Sequence, residues 1–399
     1  MKTSTSSLRV IVTGLLAQYP LGGVSWDYIQ YVIGLKQLGH DVYYFEDTGQ
    51  WPFNPREGGT AKDCQFNVAY LSQLMNQFGL GENWAYRFPW EAQWFGMPDA
   101  RRREILRTAD LLINVSGTLE RPEEYRAIPR MVYIDSDPIF TQIKLARGQQ
   151  DFRRLLDAHD VHFTFGETLP GSLDKDGYDW LATRQPIVLS EWRCRQEPRN
   201  VFTTVMNWTS YKPIEFMGQT YGQKDVEFER FMDLPSMVPD TSLEIAINSG
   251  KTRRTPRVLL SRKGWIVVHP DDVCPDLASY RRYIQTSKAE WSVAKNGYVV
   301  GRSGWFSCRS ACYLAAGRPV IVQDTNFSDV IPVGEGILPF TTLAEAAAAI
   351  RAVNADYSRH SRAATAIAET YFDSTLILDR LIGLAAGQTT QTSKPLGTI

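Results

Sequence analysis

The chain begins with an apolar strand, "LRVIVTG", a loop holding Gly22 and Gly23, the amphipathic segment "WDYIQYVIGLKQLGH" and a second strand, "DVYYFED". That order is a βαβ unit, and a chain that opens on one is committed to a parallel sheet with helices covering its faces. Ligands in such open sheets bind beyond the carboxyl ends of the strands, which is where the glycine loop lies. Helical spacing returns in "DCQFNVAYLSQLMNQFG" and "DARRREILRTA", while "DLLINVSG", "RMVYIDSD", "VHFTFGE" and "QPIVLSEW" read as further strands. The polar, turn-forming "EPRN" at Pro198 is a linker to a second unit of the same kind. That unit runs through "VFTTVMNW", the helical "DVEFERFMDLP", the apolar "SLEIAINSG", "WIVVHP", "EWSVAK" and "YVVG", and the Ala-rich helix "TLAEAAAAIRAV". At 399 residues the chain is too long for one ordinary core. The expected organisation is α/β, with units over 1–197 and 198–372 facing each other across a cleft. A last helix over 373–386 and a flexible Gln/Thr/Ser tail over 387–399 complete it.

Apolar residues make up 43%, charged residues 22%, and the net charge is -1. This balance argues against a nucleic-acid or membrane-surface binder and for small or neutral partners. Five cysteines, odd in number and without a C-x-x-C pair, point to reduced thiols in a cytoplasm rather than a zinc site or a disulfide framework. "LRVIVTGLLAQ" lacks the small-residue cleavage site of a signal peptide, and no apolar run reaches membrane-spanning length. His159, His162 and His269 have no acid or histidine at metal-ligand spacing. "GLLAQYPLGGVSW" does not fit G-x-G-x-x-G, which removes the main support for a dehydrogenase, and no G-x-S-x-G elbow supports a hydrolase.

The densest chemistry lies in "SGWFSCRSACYLAAGRPVIVQDT", from Ser303 to Thr325. Ala311, Leu314 and Ala315 give a helix one packed face, Gly317 suits a left-handed cap, Pro319 stops the helix, and "VIV" is a buried strand. A helix start near Ser307 leaves unpaired N–H groups and partial positive charge, an arrangement that binds phosphate. Arg302 and Arg309 add donors, Lys295 arrives from "EWSVAKNG", and the loop contributes Ser303 and Gly304. Asp324 and Thr325 stand at the strand's carboxyl end, where ligands are lined. The competing reading is a plain helix-to-strand connection with surface arginines.

From Cys312 onward, Cys-Tyr-Leu-Ala-Ala-Gly-Arg-Pro-Val-Ile resembles the donor-binding segment of glycosyltransferases of the two-domain GT-B fold. The resemblance extends to the glycine pair and "LKQLGHDVYYFE" near the start. It implies two Rossmann-like domains, the first for the acceptor and the second for a nucleotide-sugar donor, with the 373–386 helix crossing back to the first. It also implies that Gly222 and Lys224 of "YGQKD" meet the donor diphosphate, Lys224 countering the charge that builds as the nucleoside diphosphate leaves. Gly22 and Gly23 would border the acceptor. One position departs from the family pattern. Many members carry a glutamate on the ribose hydroxyls five residues before the Gly-x-Pro glycine, and here that residue is Cys312. A neutral thiol is a poor acceptor for two hydroxyls, which leaves Asp324 or Glu290 as the available acids.

"YIDSDPIF" places Asp135 and Asp137 after an apolar strand. As a D-x-D pair they could hold a divalent cation, as in GT-A glycosyltransferases; as turn formers they would merely precede Pro138. On the acceptor side of a cleft, one of them could serve as general base. The GT-A fold has a single domain and would leave the Gly-Arg-Pro segment unexplained, so the acceptor side is preferred. The function expected is transfer of a sugar from a nucleoside diphosphate sugar to a hydroxyl of a small or lipidic acceptor, without metal or other cofactor. The alternatives are a GT-B-like epimerase or phosphorylase, and a non-catalytic nucleotide-sugar-binding protein favoured by the missing ribose acid.

Overall fold

In a computed structural model, which describes residues 7–171, 177–248 and 253–387, the strand Arg9–Thr13 pairs in parallel with both Asp41–Glu46 and Leu111–Val115. Its apolar, β-branched run is buried on both faces, as the centre of a parallel sheet requires. From this centre the chain winds both ways. Asp41–Glu46 leads to Trp84–Phe88 and an antiparallel edge strand, Gln93–Gly96. Leu111–Val115 leads through Arg130–Asp135 and Val161–Thr164 to Trp180–Ala182. The winding reverses between Arg9–Thr13 and Leu111–Val115, so a crevice opens beyond Thr13 and Val115.

The second sheet repeats the plan. Val201–Met206 lies between Ser242–Ile247 and Ala289–Ser292, with Ile266–Val268 outside the former and Val320–Gln323 and Ile337–Phe340 outside the latter. Every pairing is parallel, and the winding reverses between Val201–Met206 and Ala289–Ser292. Gly317, at φ +70°, ends the helix Cys308–Ala315 ahead of Val320–Gln323. The expected tail falls on residues outside those described, from 388 onward.

One segment corrects the sequence reading. "QPIVLSEW" makes a single bridge, Ile187 with Asp373, and then turns into the short helix Leu189–Trp192. The Val188 amide and the Trp192 indole both donate to Gln30 Oε1, at 3.0 and 2.9 Å, so the segment plugs a gap between helices instead of extending a sheet.

The two halves share an apolar core. Helix Gly22–Gln37 of the first half packs against Leu277–Thr286 of the second and against the last helix, Ser374–Ala385. Trp26, Val12, Tyr280, Tyr313 and Leu378 belong to one continuous buried cluster. Gly22 permits the closest approach: a Cβ there would lie 2.4 Å from the Asp276 carbonyl oxygen and 2.6 Å from Tyr280 Cβ. Gly22→Ala is therefore expected to pry the halves apart and cost roughly 1–3 kcal/mol, the range for overpacking. Gly22 opens its helix, where alanine's propensity advantage is small. Thermal denaturation checks this, and an unchanged midpoint would mean that the halves are not held together at this contact.

Candidate functional site

The two crevices face each other and enclose a cleft of about 930 Å³, within the range of small-molecule sites. Strand ends of the first half contribute Val115, Ser116, Asp135 and Asp137, and its first helix contributes Gly22, Gly23 and Asp27. The second half contributes Met206, Asn207, Lys224, Lys295, Ser307 and Arg309. Of the residues read from the sequence as diphosphate ligands, Lys224, Lys295, Ser307 and Arg309 thus meet on one wall.

Arg309 stands in the first turn of the helix Cys308–Ala315, whose N-cap is Ser307. Its Nε donates to Glu290 Oε1 at 2.5 Å and its Nη1 to the Val205 carbonyl at 2.7 Å, while Nη2 has no hydrogen-bond partner among the described residues. Burial works against the guanidinium charge, but the fully buried Glu290 outweighs it and holds the pKa above the usual value. Lys224 opens the helix Lys224–Glu229, and among the described residues its ammonium has neither a hydrogen bond nor an ion pair. Burial, then Arg309 and Lys295, push its pKa well below the usual lysine value. An anion in the cleft would offset the repulsion that Arg309 and Lys295 exert on Lys224.

Lys295 is already paired. Its Nζ lies 2.8 Å from Asp137 Oδ1 and 3.1 Å from the Tyr211 hydroxyl, surrounded by the rings of Phe140, Tyr211 and Tyr298. Asp137 also accepts from Tyr211 at 2.7 Å and from Tyr298. Burial would raise its pKa, yet the Lys295 charge and these hydrogen bonds hold it below the ordinary value. The pair spans the two halves, and the chain beside it is strained to make the join: Ile139 takes φ +73°, which a β-branched residue adopts at a cost. Phe140 then seats on Gly297, where a Cβ would meet its ring at 2.5 Å.

Asp135 is buried beneath this join. It accepts from Thr141 Oγ1 at 2.7 Å, Thr164 Oγ1 at 2.9 Å, Gln142 Nε2 at 3.2 Å and the Asp137 amide at 3.0 Å. Burial pushes its pKa up to about 6 against those bonds. Asp135 and Asp137, read from the sequence as an acceptor-side pair with one of them a general base or as turn formers, are both held by hydrogen bonds. Every carboxylate oxygen is engaged, Asp135 in shaping the turn and Asp137 in joining the halves. Among the described residues, no group of three or more His, Cys, Asp or Glu side chains is placed to hold a metal ion.

The remaining candidates are not among the residues lining the cleft, and their polar groups bond within the fold. The Gly222 amide donates to Asn296 Oδ1 at 2.9 Å. The Arg302 and Ser303 carbonyls accept from Thr168 of the first half, at 2.8 and 3.1 Å, and the Arg302 side chain bonds Asn326. The Gly304 amide donates to the Thr325 carbonyl at 2.8 Å, and the Thr325 hydroxyl to the Trp305 carbonyl at 2.6 Å. Asp324 accepts from the Asn326 amide at 2.9 Å and the Ser328 hydroxyl at 2.7 Å. Cys312 is buried facing the first half, 3.9 Å from Gln30 Nε2, whereas Cys308, one turn earlier, lines the cleft. The position expected to meet ribose thus lies in the seam between the halves.

One cleft residue escaped the sequence reading. Asp27 sits in the second turn of the first helix, and among the described residues its carboxylate has no hydrogen-bond or ion-pair partner. Burial pushes its pKa up to about 7, with Arg309 opposing. Its signal in the sequence was only an acid shortly after the glycine pair.

No family model and no curated protein matches the sequence. Solved structures do match it in fold. One is an alpha-glucosyltransferase in complex with UDP and a 13-mer DNA, at 11% identity over 96% of this chain and 100% of that one, with a TM-score of 0.58. Another is HepE of Anabaena in complex with UDP, at 12% identity over 95% and 99%, with a TM-score of 0.55. A third is AviGT4, a glycosyltransferase involved in Avilamycin A biosynthesis, at 13% identity over 95% and 98%, with a TM-score of 0.50. At these identities the likeness establishes the architecture: the chain has the GT-B fold, two Rossmann-like sheets facing each other. No described helix is long and apolar enough to cross a membrane.

Proposed function

We propose that the protein transfers a sugar from a nucleoside diphosphate sugar to an acceptor hydroxyl. The observation that carries this reading is the convergence of Lys224, Arg309 and Lys295 with the helix start at Ser307 on one wall of the cleft, Lys224 being unpaired. As the bond from the anomeric carbon to the diphosphate breaks, negative charge collects on the leaving group, and fixed cations in a site shielded from water stabilise it without reorganising. With this much positive charge the reaction needs no obligatory metal and no cofactor beyond the sugar nucleotide. UDP is the first nucleotide to consider, since it is bound in two of the structurally similar proteins. The acceptor is a small or lipidic alcohol; the net charge of -1 weighs against the DNA bound by one neighbour. Cysteines that are all unpaired fit a cytoplasmic location.

A second reading, binding without transfer, is favoured by the burial of Cys312 away from the cleft. A thermal-shift panel with UDP, GDP, TDP, ADP and CMP, each with manganese and with EDTA, tests the first step. UDP is expected to raise the melting temperature by a few degrees whether or not EDTA is present, as mass action requires of a ligand that binds only the folded state. No shift with any nucleotide would sink the assignment. Stabilisation without turnover of the corresponding UDP-sugars would favour binding alone.

A further inference from the structure

Four carboxylates line the cleft: Asp27, Asp135, Asp137 and Asp271. Asp135 and Asp137 are engaged as described, and Asp271 is well exposed, 3.4 Å from His269 Nδ1. Asp27 alone of the four is half-buried with no hydrogen-bond or ion-pair partner for its carboxylate among the described residues. Gln185 reaches the main chain beside it from outside its own helix: Gln185 Nε2 donates to the Asp27 backbone carbonyl at 2.8 Å, and Gln185 Oε1 accepts from Cys308 Sγ at 3.3 Å. Cys308 adjoins Arg309, so Gln185 ties Asp27 to the cationic wall from the first half's side of the cleft. An unsatisfied, half-buried carboxylate that lines the same cleft as the cationic wall is equipped to accept a proton.

We propose that Asp27 is the general base that deprotonates the acceptor hydroxyl, a role that rests on the transfer reading above. In one displacement the hydroxyl proton passes to an Asp27 carboxylate oxygen, and the hydroxyl oxygen bonds to the anomeric carbon. The bond from that carbon to the diphosphate breaks with its electron pair on the leaving group, and the anomeric configuration inverts. The groups facing Asp27 are Arg309, Cys308 and Cys312 on one helix, Tyr280 on Leu277–Thr286, and Tyr28 and Tyr31 on its own helix. Of these Arg309 is the charged one, and burial dominates to leave the carboxyl titrating at about 7.

The full chain and its Asp27→Asn and Asp27→Glu variants would be compared in two measurements: stabilisation by UDP, and UDP release from UDP-glucose, UDP-galactose and UDP-N-acetylglucosamine with water as acceptor, across neutral pH. Wild-type kcat/KM is expected to rise through a pH of about 7. Asp27→Asn should still be stabilised by UDP but lose about 100-fold or more of turnover, the usual worth of a general base, along with the acidic limb of the profile. Asp27→Glu should recover part of both. UDP should also bind the wild type more weakly as pH rises through the same range, because the ionising carboxylate opposes the anion; Asp27→Asn should lose that dependence. Asp27→Asn that is stabilised by UDP and turns over at the wild-type rate would overturn the proposal, as would a released or transferred sugar of retained configuration by NMR. Wild type stabilised by UDP yet inert towards all three donors would leave no reaction for a base and would also overturn it. Absence of UDP stabilisation in the wild type would bring down the transfer reading first, and this proposal with it.

Discussion

Lys224→Ala is expected to lower turnover of a nucleoside diphosphate sugar by about 100- to 1000-fold, the usual worth of one preorganised charge-stabilising group, while the protein stays folded. The ammonium has no hydrogen-bond or ion-pair partner among the described residues, so its removal strands no neighbour. Its pKa lies well below the usual lysine value, chiefly through burial. A basic group depressed in this way binds fewer protons in the folded state than in the unfolded one, and so it detracts from stability below the ordinary lysine pKa. The melting temperature of Lys224→Ala at neutral pH should therefore match or exceed that of the wild type, while the added stabilisation from UDP shrinks. Steady-state kinetics and thermal melting with and without UDP check both halves of this expectation. Wild-type turnover would remove Lys224 from the diphosphate site.

Arg309→Ala should behave differently, although the sequence presents the two cations as equivalents. Glu290 is fully buried, its Oε1 is held by Arg309, and its Oε2 has no hydrogen-bond partner among the described residues. Removing one member of a buried pair leaves an uncompensated charge and costs about 3–5 kcal/mol, a large part of the roughly 5–15 kcal/mol that holds a typical domain folded. Arg309→Ala is accordingly expected to lose both activity and much of its stability. Adding Glu290→Gln should restore stability without restoring turnover, because the neutral amide no longer needs the guanidinium while the diphosphate still does. Denaturant titrations of the two single variants and the double variant measure the coupling. An Arg309→Ala protein that melts like the wild type would show that Glu290 does not depend on it.

Much of the architecture is legible in local sequence. Apolar runs such as "RVIVT" and "VIVQ" are buried on both faces, and Gly317 with Pro319 ends a helix before a strand wherever the rest of the chain lies. "QPIVLSEW" misleads because a short apolar run fits a buried turn as well as a strand, and Gln30, far back in the chain, decides between them. The site is less legible for the same reason. Spacing alone puts Arg302, Ser303 and Gly304 beside the helix start at Ser307, but Thr168 of the other half takes the Arg302 and Ser303 carbonyls. Asp27 is inconspicuous until Gln185 and Cys308 are seen beside it. Cys312 is the instructive intermediate case: the sequence marks it as a departure, and its burial in the seam between the halves explains why an ionised side chain would be costly there.

Because the buried cluster runs without interruption from Val12 through Trp26 to Tyr313 and Leu378, the halves have little freedom to lose their structure one at a time. They are expected to open as one cooperative unit. A donor that touched only the second half would then slow hydrogen exchange in the strands Arg9–Thr13 and Leu111–Val115, which it never meets, since opening either half along this seam would break the cluster both share.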